Sequence, residues 1–311
     1  MIGWFCKLDS TLQCAIISAI TSIAICLTPL IINFIREKYI IGYKLRKEYT
    51  FKQRMGIKEK LASSKTPLIR SAEELNYRLW NLSQNIDKRW HNCKESDIKQ
   101  HDKCYYIKSF TYRFLCFLYW IDRAEDDIYN FDFSVAAKDE KEYLKYIKVL
   151  KHFFCESELL KDLGYNYSKD EAHFYKDNIK IYVNYIKNGD SVISYGTFIQ
   201  KIEDDYTDIH TVVDFIRNTE DNELNNQYNI LKSFHLFLML FLNKYGLDYH
   251  YTDRSKYKKL IQDKYNNIKI KPALLEYFAR NKVIKEAKWV IKDLCKENYC
   301  MYRIKTILKT V

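Results

Sequence analysis

From Asp9 to Arg36 the chain carries no charged residue, and residues 14–35 form an apolar core of 22 residues. At roughly 1.5 Å per residue that core spans about 33 Å, enough for a bilayer interior of about 30 Å. The pattern predicts a transmembrane helix over residues 12–35, preceded by a short extracytoplasmic N-terminus, residues 1–11. A cleaved signal peptide would have a positive start, a shorter apolar core and a small-x-small cleavage site. Here the start is nearly neutral and the exit runs directly into Arg36 and Lys38. A second span is not expected, because the apolar run 234–242 is too short and the run 110–121 is interrupted by Arg113.

Beyond residue 66 the apolar positions recur three and four apart, the period of a packed helix. Leu68, Ala72, Leu75, Leu79, Leu82 and Ile86 make one stripe, with Thr66 placed to cap it and Pro67 at its first helical position. Ile107, Phe110, Phe114, Phe117, Ile121, Ala124 and Ile128 make a second, apolar around much of its circumference and therefore expected at the centre. A third runs through Tyr143, Ile147, Leu150 and Phe154. A fourth runs through Phe198, Ile202, Tyr206, Ile209, Val213 and Ile216, and a fifth through Leu231, Phe234, Leu238, Phe241 and Tyr245, closed by Gly246. Residues 168–187 read two ways. Ser168 and Glu171 have capping-box spacing ahead of a helical stripe, yet Ile179, Ile181, Val183 and Tyr185 alternate like a strand; helix is favoured. After Asp253 come two or three shorter basic helices, one opened by Pro272.

Composition agrees with helices. There are 7 glycines and 3 prolines in 311 residues, too few for the turns of a β-rich chain. The fold class expected is all-α, an N-terminal transmembrane helix followed by a cytoplasmic multi-helix bundle. The 9 cysteines are irregularly spaced, and their odd number reads as a reduced, cytosolic set rather than a disulfide framework.

Charge then orients the chain. Residues 36–70 hold 11 Lys/Arg against 3 Asp/Glu, residues 71–253 hold 23 against 31, and residues 254–311 hold 16 against 5. One lysine precedes the span. The positive-inside tendency therefore puts the body in the cytoplasm, with the N-terminus outside and the chain single-pass in a cell inner membrane. Arg36, Lys38, Lys44, Arg46, Lys47, Lys52 and Arg54 form a basic collar expected to lie against anionic headgroups. The divisions expected are the stalk 36–66, a helical bundle 67–251 and a basic helical region 252–311.

The run PLIRSAEELNYRLWNL at 67–82, followed by YYIKSFTYRFLCFLYWIDR at 105–123, FYKD at 174–177 and YGTFIQ at 195–200, resembles a widespread family of uncharacterised bacterial proteins. These have one N-terminal membrane helix and a helical cytoplasmic body. The resemblance covers roughly residues 12–251 and implies topology and fold, but no reaction. Where that family carries a Gln-Arg-Ala-Ile-Gly-like run, this chain reads NIKIY at 178–182.

Four zinc-type ligands, His91, Cys93, His101 and Cys104, fall within 14 residues as two short pairs. The alternative is a polar interhelical loop holding reduced cysteines. Asp204, Asp205 and Asp208, with His210 following, would put Asp204 and Asp208 one turn apart on a helix, a spacing suited to a divalent cation or acid–base work. Asp122, Glu125 and Asp126 share that spacing. The alternative for both acidic clusters is a solvated face or a set of partners for basic residues. With glycines at 3, 42, 56, 164, 189, 196 and 246, neither a P-loop nor a dinucleotide fingerprint can be built. No cofactor is expected.

From Arg254 onward, basic residues alternate with Tyr257, Tyr265, Tyr277, Phe278, Trp289, Tyr299 and Tyr302. Such a tail can track nucleic acid, lie on lipid, or dock on the chain's own acidic middle. Three function classes stay open. The first is a membrane-anchored, non-enzymatic interaction or effector protein, in its most concrete form a membrane-acting component of a bacterial anti-phage defence or stress system. The second is a metal-dependent hydrolase using Asp204 and Asp208. The third is a membrane-tethered nucleic-acid-binding protein using the tail. The partners expected are the lipid bilayer and an unidentified cytoplasmic protein, with a second copy of the chain as a further option and nucleic acid as the less favoured one.

Overall fold

A computed structural model describes residues 8–127, 131–166, 168, 171–246, 254–265 and 267–283. The chain divides into two units, residues 1–56 and 57–311, and each is described by itself.

In the first unit, α1 (Ser10–Ile35) is followed by one π-helical turn, Arg36–Ile41, and then by the start of α2 (Gly42–Asn85). α1 is long and apolar enough to cross a membrane: its most apolar 18 residues have a mean hydropathy of 2.4 and none is buried. Three of its hydroxyls are satisfied within the helix. Thr21, Ser22 and Thr28 donate to the carbonyls of Ile17, Ser18 and Ala24 at 2.7, 2.8 and 2.7 Å. That back-bonding leaves these side chains with no need of water.

In the second unit α2 continues from Ile57. Ile57, Leu61 and Ser64 are already buried, so packing begins ten residues before the helix start read from the sequence. Thr66 caps nothing, and Pro67 lies inside a continuous helix. This corrects the expected start at Thr66–Pro67. Proline removes one backbone hydrogen bond, and the buried residues on both sides of it, Leu61 and Leu68, hold the helix through the interruption.

Among the described residues the body is all-α apart from one hairpin. After α2 come the short α3 (Glu95–Ile98), α4 (Tyr105–Asp126) and α5 (Lys138–His152). Next are α6 (Asn178–Ile186) and the strands β1 (Lys187–Asn188) and β2 (Ser191–Val192), which pair antiparallel around Gly189 at φ 57°. α7 (Tyr195–Asp204), α8 (His210–Arg217), α9 (Asn226–Tyr245), α10 (Arg254–Asp263) and α11 (Lys271–Arg280) complete it. Ser194 caps α7 through Thr197 N at 3.2 Å, and Asn225 caps α9 through Tyr228 N at 2.7 Å.

α4 is central and packs against α5, α6, α7 and α8. Its apolar face enters a cluster of rings. Phe114 meets Phe154 edge-on with centroids 5.0 Å apart, Phe154 meets Phe234 at 4.5 Å, and Phe117 meets Phe234 at 5.7 Å. Such pairs add about 0.5–1.5 kcal/mol each beyond their burial. α9 is buried along Gln227 to Leu242, which explains its apolar run without a second membrane span.

Two more expectations are corrected. The described residues between 168 and 177 are not helical, and α6 begins only at Asn178. The backbone there is bonded elsewhere: Ala172 N donates to the Tyr165 hydroxyl at 3.1 Å, Phe174 N to the Phe154 carbonyl at 2.8 Å, and the Glu171 carbonyl accepts from Gln227 at 2.9 Å. The fourth stripe is also two helices, because Asp205 is extended and its carboxylate binds Thr207 N at 2.8 Å and Thr207 Oγ1 at 2.6 Å. A local side-chain bond of this kind competes with helix propagation.

At the C-terminal end of α4, Asp122 is buried between two lysines. Lys151 of α5 lies 2.7 Å from it and Lys180 of α6 lies 2.8 Å away. Glu125 takes Lys151 at 2.5 Å and Asp126 takes Lys180 at 2.8 Å. Asp122→Ala is expected to lower stability by about 3 kcal/mol, since it removes the buried acid that both lysines share and leaves each with one acid nearer the solvent. Asp126→Ala, at the solvent rim, is expected to change it by less than about 1 kcal/mol. Denaturant unfolding followed by circular dichroism measures both, and equal effects would sink the role given to Asp122.

Candidate functional site

The four candidate zinc ligands separate in the fold. His91 is buried, with Nε2 2.6 Å from the Thr219 carbonyl, on the wall of a polar cleft of about 700 Å³. Burial lowers its pKa. The exposed His101 turns to Glu203 at 3.1 Å. Cys93 and Cys104 do come together: burial pushes the Cys93 thiol up to about 12, and the neighbouring Cys104 adds to the effect. The set of four is thus corrected to a pair of thiols, because each histidine is held by a partner from the 200s. Among the described residues no group of three His, Cys, Asp or Glu side chains is placed to hold a metal ion.

The acidic cluster also changes. α7 ends at Asp204, Asp205 is locked onto Thr207, and Asp208 sits in a separate turn, Thr207–Ile209. His210 Nδ1 lies 2.7 Å from the Thr207 carbonyl. The one-turn spacing that made Asp204 and Asp208 a candidate catalytic pair is therefore absent. Asp122, Glu125 and Asp126 follow the other reading and are partners of lysines.

In the basic C-terminal region, Tyr257, Tyr265, Tyr277 and Phe278 are core residues. They present no face to a base, so the stacking expected of them is corrected. Trp289, Tyr299 and Tyr302 lie outside the described residues. Two described cations of this region reach the acidic middle: Arg280 pairs with Glu156 at 2.6 Å and Glu158 at 3.1 Å, and Lys269 with Glu223 at 2.7 Å. The collar residues Arg36, Lys38, Lys44, Arg46, Lys47, Lys52 and Arg54 are all exposed.

Two polar centres were not singled out from the sequence. The first is inside α9. His235 is fully buried, with Nε2 3.1 Å from Asn76 Oδ1 and Nδ1 against the Tyr265 hydroxyl. Burial alone pushes its pKa down to about 3, so the ring is neutral, with Nε2–H donating to Asn76 and Nδ1 accepting from Tyr265. One turn away, Lys232 is 4% exposed. Its ammonium donates to Asn267 at 2.9 Å and sits 3.6 Å over the Tyr228 ring. Burial lowers its pKa to about 7, against the opposing pull of Asp221 and Glu223. A partly deprotonated amine has the chemistry of a base or nucleophile, but this one is enclosed by two tyrosine rings.

The second centre lies between α2 and α4. Tyr105, Ser109 and Arg113 occupy successive turns of one face of α4, and Arg78 approaches from α2. Arg78 Nη2 donates to Ser109 Oγ at 2.7 Å; Arg113 Nη1 donates to the same oxygen and to the Ser109 carbonyl at 3.1 Å. Arg78 lies 4.9 Å from the Tyr106 ring and 5.8 Å from the Tyr105 ring. The sequence held one signal for this centre, Arg113 inside a helix that is apolar around much of its circumference.

Neither a family model, nor a curated protein, nor a solved structure matches this chain.

Lys232 makes a measurable contribution to pH-dependent stability. Its folded pKa is about 7 and its ordinary value 10.5, so between them the unfolded chain holds the extra proton. Its penalty is full below 7 and lifts as the pH rises towards 10.5. Lys232→Met is expected to raise the melting temperature more at pH 6.5 than at pH 9, a difference of at least about 1 kcal/mol. A gain equal at both pH values would show that the lysine stays charged.

Proposed function

We propose that this chain is a single-pass membrane protein, tethered through Ser10–Ile35, whose helical body works on the cytoplasmic side as a binding module. The observation that carries the reading is the bare apolar surface of α1. Ile17, Ile20, Ile23, Ile25 and Leu30 are each more than half exposed, and no residue of the helix is buried. Large aliphatic side chains left in water cost about 1.5–3 kcal/mol apiece relative to burial, and a bilayer removes that penalty.

The next segment has the chemistry of an interface. Exposed Tyr39, Tyr43, Tyr49 and Phe51 interleave with the collar cations, and Lys38 and Lys47 lie over the Phe34 and Tyr43 rings at 5.3 and 5.5 Å. Aromatic belts and basic residues concentrate where membrane meets cytoplasm. For the body, a binding role is supported by what the fold lacks and what it offers. The carboxylates that suggested a hydrolase do not share a helix face. At the start of the body, a cleft of about 450 Å³ is lined by Leu61, Lys65, Tyr143, Lys244 and Tyr245, a mixed apolar and charged surface suited to a partner.

Alkaline carbonate extraction of membranes from expressing cells tests the tether. The full chain is expected to stay in the pellet, and a chain lacking residues 10–35 to move to the soluble fraction; release of the full chain by carbonate would refute the reading. A green fluorescent protein fused to the C-terminus tests the side. It is expected to fluoresce, and fluorescence is expected to fall when the seven collar cations are replaced by alanine and two lysines are placed ahead of the span.

A further inference from the structure

We propose that Arg78 and Arg113, converging on Ser109, form a binding site for the phosphate group of a small ligand, with the Tyr105 ring as a stacking face beside it. The site lies wholly within the body, so the inference stands or falls independently of the membrane tether.

Three observations carry it. The first is the convergence of two guanidinium groups, both half-buried, on one fully buried hydroxyl. Like charges held this close repel each other, and a serine oxygen carries no charge to offset them. The second is the missing counter-charge. Among the described residues no carboxylate forms an ion pair with either arginine, and Glu74, the acid one turn before Arg78, is taken by Arg70 at 3.4 Å. Two other deeply placed cations, one on α4 and one on α5, do have acids: Lys108 holds Glu203 at 2.7 Å, and Lys151 holds Asp122 and Glu125. The third is the response of Tyr105. Its phenol is held below the ordinary range by its contact with Ser109 and then by Arg78, so this spot already favours a negatively charged oxygen.

The geometry selects the ligand class. Two planar guanidinium groups present paired donors, and a tetrahedral dianion has enough oxygens to accept from both at once. A carboxylate can bridge both, but its single charge offsets only one of them. Ser109 can rotate its hydroxyl to donate to the anion when the arginines turn towards it. Next to this sits the Tyr105 ring, 63% exposed, with Tyr195 edge-on at 6.5 Å. An exposed ring beside an arginine is a platform for a nucleobase. A nucleoside monophosphate is thus the expected class, with inorganic phosphate as its minimal form.

The test uses the full chain in detergent and three probes: AMP, inorganic phosphate and adenosine. Titration calorimetry is expected to show saturable binding of AMP, weaker binding of phosphate and none of adenosine. The melting temperature is expected to rise with AMP. Arg78→Gln should weaken AMP and phosphate at least tenfold. Arg113→Gln should do the same, with circular dichroism confirming that each variant is folded. Tyr105→Ala should weaken AMP and leave phosphate unchanged, while Tyr105→Phe keeps both. If the wild-type chain shows neither heat nor thermal shift with AMP or phosphate at 10 mM (on the order of a hundredfold above a 0.1 mM site), the proposal is overturned without recourse to any variant. Binding that survives in a folded Arg78→Gln/Arg113→Gln chain overturns it too. Variants that only lose stability, with no ligand response in the wild type, return the pair to a purely structural role.

Discussion

A buried carboxylate fixes the arrangement of the body. Asp122 is 4% exposed at the C-terminal end of α4, and two lysines from two other helices close on it. A charge removed from water without a partner costs several kcal/mol, so neither α5 nor α6 can slide or rotate on α4 without exposing that cost. Exchanging such a network for apolar side chains is often neutral for stability, which means its value is in specifying one arrangement. The cohesion comes from the rings two turns earlier on the same helix, where Phe114 and Phe117 meet Phe154 and Phe234. One helix thus carries both the adhesive and the register.

The charges along α4 run against its dipole. Lysine and arginine stand in its first half, at 108 and 113, and the acids at 122, 125 and 126 outnumber Arg123 in its last turns. A free helix prefers the opposite order. Each reversed charge therefore depends on tertiary structure for its counter-charge. Lys108, 1% exposed, receives Glu203 and the Gln100 carbonyl, and the hydrogen bonds of Lys108 and His101 outweigh burial to hold the Glu203 carboxyl below its usual range. The acids at the far end receive Lys151 and Lys180. Arg113 stands out on this helix because the described residues give it a serine where its neighbours have an ion.

Helices with a sustained apolar period were legible in the chain: α4, α5 and α9 lie where Phe110–Phe117, Tyr143–Leu150 and Leu231–Phe241 placed them. What misled was local chemistry that periodicity does not weigh. The stripe through Phe198 and Ile216 holds its burial across the break, since Ile202, Ile209 and Val213 are all core residues; one aspartate side chain bonding Thr207 is enough to end the helix between them. Ser168 and Glu171 had the spacing of a capping box, but a tyrosine hydroxyl and a distant carbonyl had already claimed the backbone. The zinc set failed for a reason no local window contains, because the partners of His91 and His101 are Thr219 and Glu203, more than a hundred residues away. The arginine centre was missed for the same reason: Arg78 and Arg113 meet only once α2 and α4 are packed.

The distribution of charge separates the two basic ends of the chain. The cations of the C-terminal region that form ion pairs among the described residues form them within the body, Arg280 with Glu156 and Glu158 and Lys269 with Glu223. The collar is different. Its seven cations are exposed, and where one has a partner, as Lys52 has Glu48 at 2.9 Å, the pair is at the surface and weak. Long flexible lysines in water suit a diffuse field of anions such as a headgroup layer, which asks for no fixed geometry. Two half-buried guanidinium groups fixed on one hydroxyl suit the reverse, a single anion of defined shape. If the tether is right, the collar sets where the body works, while any discrimination between ligands has to come from a preorganised centre such as Arg78 and Arg113.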